Sequence, residues 1–328
     1  MRLPILQRSL LFLTATVMVA GCGPQQTPPA VPESVATDLF ILGENATVTG
    51  GIRVSEIYRS FVAQLDRRIK VGEKTIAERS REILEHLGLD PDTHDISFYG
   101  SLDVDHPKAV PAMILRAPLP QDALEKWAEH SDAFSRIDDT SDPSSAIDSD
   151  VAFFFVSKDS TAFFVARSSE ARLVASGSAE RLTEMLARSN NTVSEAPAGV
   201  FSMVGGADVW AVASDVPSIV AQLSPDELRD EIFRIFTSIV AAGGSLELGE
   251  ESALFSLYLE PKDAIEAQDI SDLVRGGIAL LKMESEDQSL LLDFLERIRV
   301  SEYDGFSRVQ IQISESDLED WAEIASVD

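Results

Sequence analysis

Two six-residue segments constrain the fold of this chain more than any other feature. Pro120-Gln121-Asp122-Ala123-Leu124-Glu125 and Pro261-Lys262-Asp263-Ala264-Ile265-Glu266 are nearly the same. Each follows an apolar strand-like run, MILRAPL in one case and FSLYLE in the other, and each run has another such run before it. Each helix-like segment is followed, after a variable insert, by a strand hairpin and a helix. Proline at the first helical turn with acids behind it is favoured for capping reasons alone. The agreement in element order goes further and favours duplication. Both halves read β-β-α-β-β-α. The expected fold class is therefore α+β, with two related modules at 38–205 and 206–328, each a mostly antiparallel sheet covered by helices.

Local signals fill in this frame. Val54, Ile57, Tyr58, Phe61, Val62 and Leu65 recur at helical spacing, and a second helix over residues 76–87 stops at Gly88. Segments 96–104 and 110–117 read as strands. A helix then places Ala123, Leu124, Trp127, Ala128 and Phe134 on one side. VAFFFVSKDSTAFFVAR is a strand pair around a polar turn, and 171–175 is a third strand. Ser178 starts a helix over Leu182, Met185 and Leu186. DVWAVAS is a strand, and Ser224-Pro225-Asp226-Glu227 opens a helix as a capping box. Gly243 and Gly244 read as the stop of that helix. Pro261 opens another helical region, and a further helix lies near 287–296. RVSEYDGFSRVQIQIS is a hairpin about Asp304-Gly305. There Arg308, Gln310 and Gln312 alternate with Val309, Ile311 and Ile313, which predicts one wet sheet face.

The N-terminus carries an address. Arg2 and Arg8 precede an apolar run from Ser9 to Ala20, too short to span a bilayer. Val19-Ala20-Gly21-Cys22 resembles the lipobox of bacterial lipoproteins. That resemblance implies removal of residues 1–21, a diacylglyceryl thioether on Cys22 and an acylated new amino terminus. The membrane partner is then reached through acyl chains on Cys22. Gly23, in place of the aspartate linked to inner-membrane retention in some bacteria, leans toward the outer membrane. Residues 22–37, with four prolines after the cysteine, read as an extended tether. Cys22 is the only cysteine of 328 residues, so no disulfide can form within the chain.

The order of segments also resembles a group of secreted or lipid-anchored bacterial proteins with duplicated α+β modules. The pieces that carry it are HLGLDPDTHDISFYGSL, AMILRAPLPQDALEKWA, ARLVASGSAERLTEML, DVWAVAS and FSLYLEPKDAIEAQDISDLV. The resemblance implies fold and export. The group has no established activity to carry over.

Chemistry is thinly signalled. The net charge of −28 excludes phosphate backbones and anionic headgroups as electrostatic partners, so no nucleic acid is expected. There is no G-x-S-x-G, no S-x-x-K and no phosphate-binding glycine loop, so no cofactor is expected. Asp90, Asp92 and His94, with Asp95, Asp103, Asp105 and His106 nearby, are the best metal candidates. They lack EF-hand spacing, and Pro91 and Pro107 favour turns in which aspartates bond local amides. No metal site is expected. The acidic loop 137–150 reads as a solvated insert. Phe153, Phe155 and Phe163 lie on strands apolar on both faces, which are buried on both faces or offer an apolar contact surface. The expected function is a non-enzymatic, lipid-anchored envelope protein acting through contacts with an envelope protein partner. The alternatives are a carrier of an apolar ligand in a sheet-helix groove, and a hydrolase using acidic residues.

Overall fold

Apolar runs separated by turn residues pair here into antiparallel ladders, and helices close over both faces of each ladder. The computed structural model describes residues 27–43, 46–60, 70–71, 74–102, 111–130, 134–136, 153–158, 161–191, 198–221, 238–263, 266–285 and 289–317. Cys22 with the expected lipobox, Asp103, Asp105, His106, the 137–150 loop and the capping box expected at Ser224 lie outside them. Two units emerge, residues 31–197 and residues 198–317 with 27–30. The fold is α+β, with two related modules of antiparallel sheet and covering helices.

The N-terminal module runs α1 (Glu33–Leu42), β1 (Val48–Arg53), α2 (Val54–Arg59), a small hairpin of β2 (Lys70–Val71) and β3 (Lys74–Thr75), and α3 (Ile76–His86). Then come β4 (Ser97–Leu102), β5 (Ala112–Arg116), α4 (Ala123–His130), β6 (Phe134–Arg136), β7 (Phe153–Lys158), β8 (Thr161–Ser169), β9 (Arg172–Ser176) and α5 (Ala179–Ser189). Its sheet has the order β1-β4-β5-β9-β8-β7-β6, antiparallel throughout. Successive residues of a strand point to opposite faces. Leu115, Leu173 and Val165 therefore join Leu84, Leu87 and Leu124 in one core. Ile114, Val174 and Ala166 point the other way, where α1 and α5 pack. Ser178 caps α5, its Oγ accepting from the Arg181 N–H, a contact worth about 1 kcal/mol.

The C-terminal module runs α6 (Val200–Val204), β10 (Val209–Ala213), α7 (Val216–Ala221), β11 (Ile239–Leu248), β12 (Ser252–Pro261), α8 (Glu266–Glu284), α9 (Ser289–Arg297), β13 (Arg299–Tyr303) and β14 (Phe306–Ser314). Its sheet order is β10-β11-β12-β14-β13. Ile278, Leu295, Ile298 and Val309 are fully buried in its core, each worth about 1.5–3 kcal/mol relative to exposure. The topology repeats that of β1-β4-β5-β9-β8. In both modules a helical connection leaves the third strand, the chain returns at the outside, and the last strand inserts beside the third. Among the described residues β6 and β7 have no counterpart in the second module.

Several local expectations change. Residues 33–37, expected in the tether, form the start of α1 and bury Val35 and Ala36. Pro29 and Ala30 are packed too: a Cβ on Gly206 would collide with their carbonyls. Phe134 belongs to β6, not to the preceding helix. Gly243 and Gly244 end no helix; both lie inside β11, paired with Tyr258 and Leu257. Pro261 ends β12. Arg308 does not face water but is 1% exposed, its guanidinium 4.5 Å above the Tyr303 ring. The turn at Asp304-Gly305 forms with φ of 49° and 84°, the left-handed pair of a tight hairpin.

Candidate functional site

Loop 89–96, between α3 and β4, holds the metal candidates and uses their polar atoms internally. Asp90 Oδ1 accepts from the Asp92 N–H at 3.0 Å, and Oδ2 accepts from the Thr93 hydroxyl at 3.1 Å. The Asp90 N–H donates to His94 Nδ1 at 3.0 Å. Arg81 Nη2 donates to Asp92 Oδ2 at 2.9 Å. The Asp92 amide, offset by slight desolvation and helped by Thr93, holds the Asp90 carboxyl below its ordinary range. Asp90, Asp92 and His94 thus meet in one loop but turn toward amides and an arginine. Among the described residues no group of three acidic, histidine or cysteine side chains is arranged to hold a metal.

His94 lines an open groove of about 870 Å³ with Gly88, Pro118, Pro120, Arg167 and Glu170. Arg167 staples its floor. Its guanidinium donates to the carbonyls of Pro120 (2.7 Å), Leu119 (2.9 Å), Ser169 and Glu170 (both 3.0 Å). Gly88 has φ of 73°, and a Cβ there would sit 3.0 Å from Pro120. Glycine therefore serves both the helix stop and the close approach.

Phe153 and Phe155 lie on β7 in register with Ala166 and Phe164, and Phe163 lies on β8 opposite Val156. Phe163 is half-buried. Among the residues whose exposure is described, the exposed apolar ones of this sheet lie on its other flank. Ile52 on β1 faces Phe98 on β4, Gly50 faces Gly100, and Val48 faces Leu102. Ile52, Phe98 and Leu102 are 41%, 37% and 42% exposed. The sequence reading missed this strip because VTGGIR, with two glycines, does not look like a strand.

Among the described residues the most exposed large apolar side chains belong to the C-terminal module. Helix α8 turns Ala267, Ile270, Val274 and Ile278 into the core. Leu273, Leu280 and Met283 lie on the outer side, 50%, 61% and 70% exposed. A Cβ on Gly276, between them, would meet nothing within 4 Å. The helix is thus apolar on both sides, which hid the outer stripe from a periodicity reading. No helix among the described residues is long and apolar enough to cross a membrane.

On the sheet face opposite α8, Asp208, just ahead of β10, neighbours Glu247 on β11. Asp208 Oδ2 accepts from the Leu248 N–H at 2.8 Å. Burial, with the Asp208 charge, pushes the Glu247 carboxyl up. On the same face Tyr258 pairs with Arg308. Burial pushes its hydroxyl up, partly offset by a hydrogen bond with Arg308.

No family model matches the chain, and no curated protein matches it. Solved structures do. Crystal form III of TP0453 matches with a TM-score of 0.52 at 14% identity, over 93% of this chain and 100% of that one. Crystal form IV matches at 0.49 and 13% identity, over 87% and 95% of the two chains. Form I matches at 0.48 and 13%, over 93% and 99%. At this identity the likeness to form III is one of fold: this α+β chain is built like TP0453.

Proposed function

We propose that this protein is a lipid-anchored component of the bacterial cell envelope, held through acyl chains on Cys22, that acts through protein contacts and not through catalysis. The outer stripe of α8 carries this reading. Leu273, Leu280 and Met283 share one side of a helix whose other side is already core. Apolar surface gathered along one helix face is the usual mark of a contact site. Asp269 is exposed beside it, and Asp272 is exposed but paired with Arg275, so a partner groove with a polar, mixed-charge rim fits best. Its test is site-specific photo-crosslinking in cells. A probe at Leu280 gives a discrete protein adduct, while a probe at the exposed hairpin residue Asp304 gives none. Absence of any adduct at Leu280, or the same adducts at both positions, refutes it.

The strip of Ile52, Phe98 and Leu102 favours a second reading, the carriage of an apolar ligand. Paired glycines between apolar side chains leave a shallow floor on which an aliphatic chain could lie. Native mass spectrometry of protein purified from its own envelope then shows a bound lipid that Phe98→Lys abolishes. Protein free of lipid in both forms removes this reading.

A further inference from the structure

The N-terminal module holds one unit more of positive than of negative charge at a buried point. Asp38, on α1, is 0% exposed. Arg116 meets it side-on, Nε to Oδ2 at 2.7 Å and Nη2 to Oδ1 at 2.9 Å, and Nη2 also donates to the Ser34 carbonyl. Arg172, only 9% exposed, faces Arg116 across β5 and β9 and brings Nε to 2.8 Å from Oδ1 of the same carboxylate. Its N–H is not directed at that oxygen, so the contact is an ion pair and Nε makes no hydrogen bond. No hydrogen bond from either Nη atom of Arg172 or from Nη1 of Arg116 is found among the described residues, but none of these three atoms is buried without a partner; the buried orphan here is Arg172 Nε.

A second polar group is orphaned beside them. Strand β8 bulges opposite Arg172: Ser169 pairs with Arg172 and Arg167 with Leu173, leaving Ser168 as the extra residue. Its Oγ is buried without a partner. Buried donors left unsatisfied are costly, and two guanidiniums around one carboxylate leave a charge uncompensated. The C-terminal module shows that a buried arginine at this place need not be left so. There Arg308, on the strand topologically equivalent to β9, is met by the Tyr303 ring, Ser301 and Tyr258.

We propose that Arg172, Arg116 and Ser168 form an oxyanion site for one carboxylate or phosphate group of a small ligand. The Arg172 fork matches the planar pair of oxygens, Arg116 Nη1 and the Ser168 hydroxyl complete the donor set, and the group's charge cancels the excess. Access runs past Arg116, whose side chain is 28% exposed. The site needs no contribution from α8 and stands apart from the contact function.

The full mature chain tests this, titrated with acetate and separately with inorganic phosphate at constant ionic strength set by chloride. Saturable one-site binding by calorimetry, with a raised thermal midpoint, is expected for at least one of them. The arm that binds names the group. Arg172→Lys keeps the charge but loses the fork, and weakens binding at least tenfold. Ser168→Ala weakens it severalfold, with an unliganded melt no lower than that of the unaltered chain. Failure of both anions to saturate overturns the proposal, as does wild-type affinity in either folded variant. If Arg172→Lys does not fold, Ser168→Ala decides alone.

Discussion

Asp38 and Arg116, 78 residues apart in the chain, meet through two hydrogen bonds of 2.7 and 2.9 Å at a point closed to water on the aspartate side. Burial works to lower the Arg116 pKa, but the hydrogen bond and charge of Asp38 outweigh it and raise the value. Removing one partner of such a set strands the others. Asp38→Asn therefore lowers stability by about 3–5 kcal/mol in urea unfolding, while replacing Asp38, Arg116 and Arg172 together by Leu, Met and Met recovers most of it.

Gly243 lets α6 lie directly on β11. A Cβ there would stand 2.8 Å from Val200 Cγ2 and 3.1 Å from Val204 Cγ1. Gly243→Ala forces the helix outward and costs about 1–3 kcal/mol. Adding Val200→Ala relieves the nearest clash, so the double variant is more stable than the two separate effects predict. A double-mutant cycle by denaturant melts reads that coupling.

Asp317 holds the end of β14 to α9. Arg297 Nη1 and Nη2 each reach a different carboxylate oxygen at 2.7 Å, and the Ser314 N–H and hydroxyl donate to Oδ2. Partial burial opposes ionisation, but these contacts prevail and bring the pKa from 3.8 to about 2. A depressed acid contributes stability that is present above its unfolded value and lost as pH falls through the folded one. The window is thus pH 3.8 down to about 2. Asp317→Asn costs about 2 kcal/mol at pH 7 and little at pH 2, by melts at the two pH values.

Glu247 has the opposite sign. Its carboxyl is pushed up from 4.5 by burial and by Asp208, so the fold prefers it protonated. Below pH 4.5 it costs nothing, and ionisation becomes a burden as pH rises through the folded value. Glu247→Gln raises the thermal midpoint by about 1–3 °C at pH 7 and leaves it unchanged at pH 3.5.

Much of the fold was legible because its signals are local. The Asp304-Gly305 turn, the Ser178 cap, the apolar strands β7 to β9 and the repeated strand-proline-helix junctions each depend on neighbours a few residues away. The misread elements depend on distant ones. A glycine pair after Ile239-Val240-Ala241-Ala242 reads as a helix stop until α6 is seen pressing on β11. Glu33 to Thr37 read as tether because prolines precede them, and only the sheet beneath α1 gives Val35 and Ala36 something to bury against.

The sites divide the same way. Sequence alone determined the repeated strand-proline-helix order, the turn at Asp304-Gly305, the single cysteine and the net charge of −28, since each is a matter of residue type, spacing or count. Tertiary structure decided which side of α8 is left open, that Arg308 is dry, and that Asp38 collects two arginines. Burial and charge pairing are properties of groups brought together across the sheet, and no periodicity along the chain encodes which side chain will lie opposite another 78 residues away.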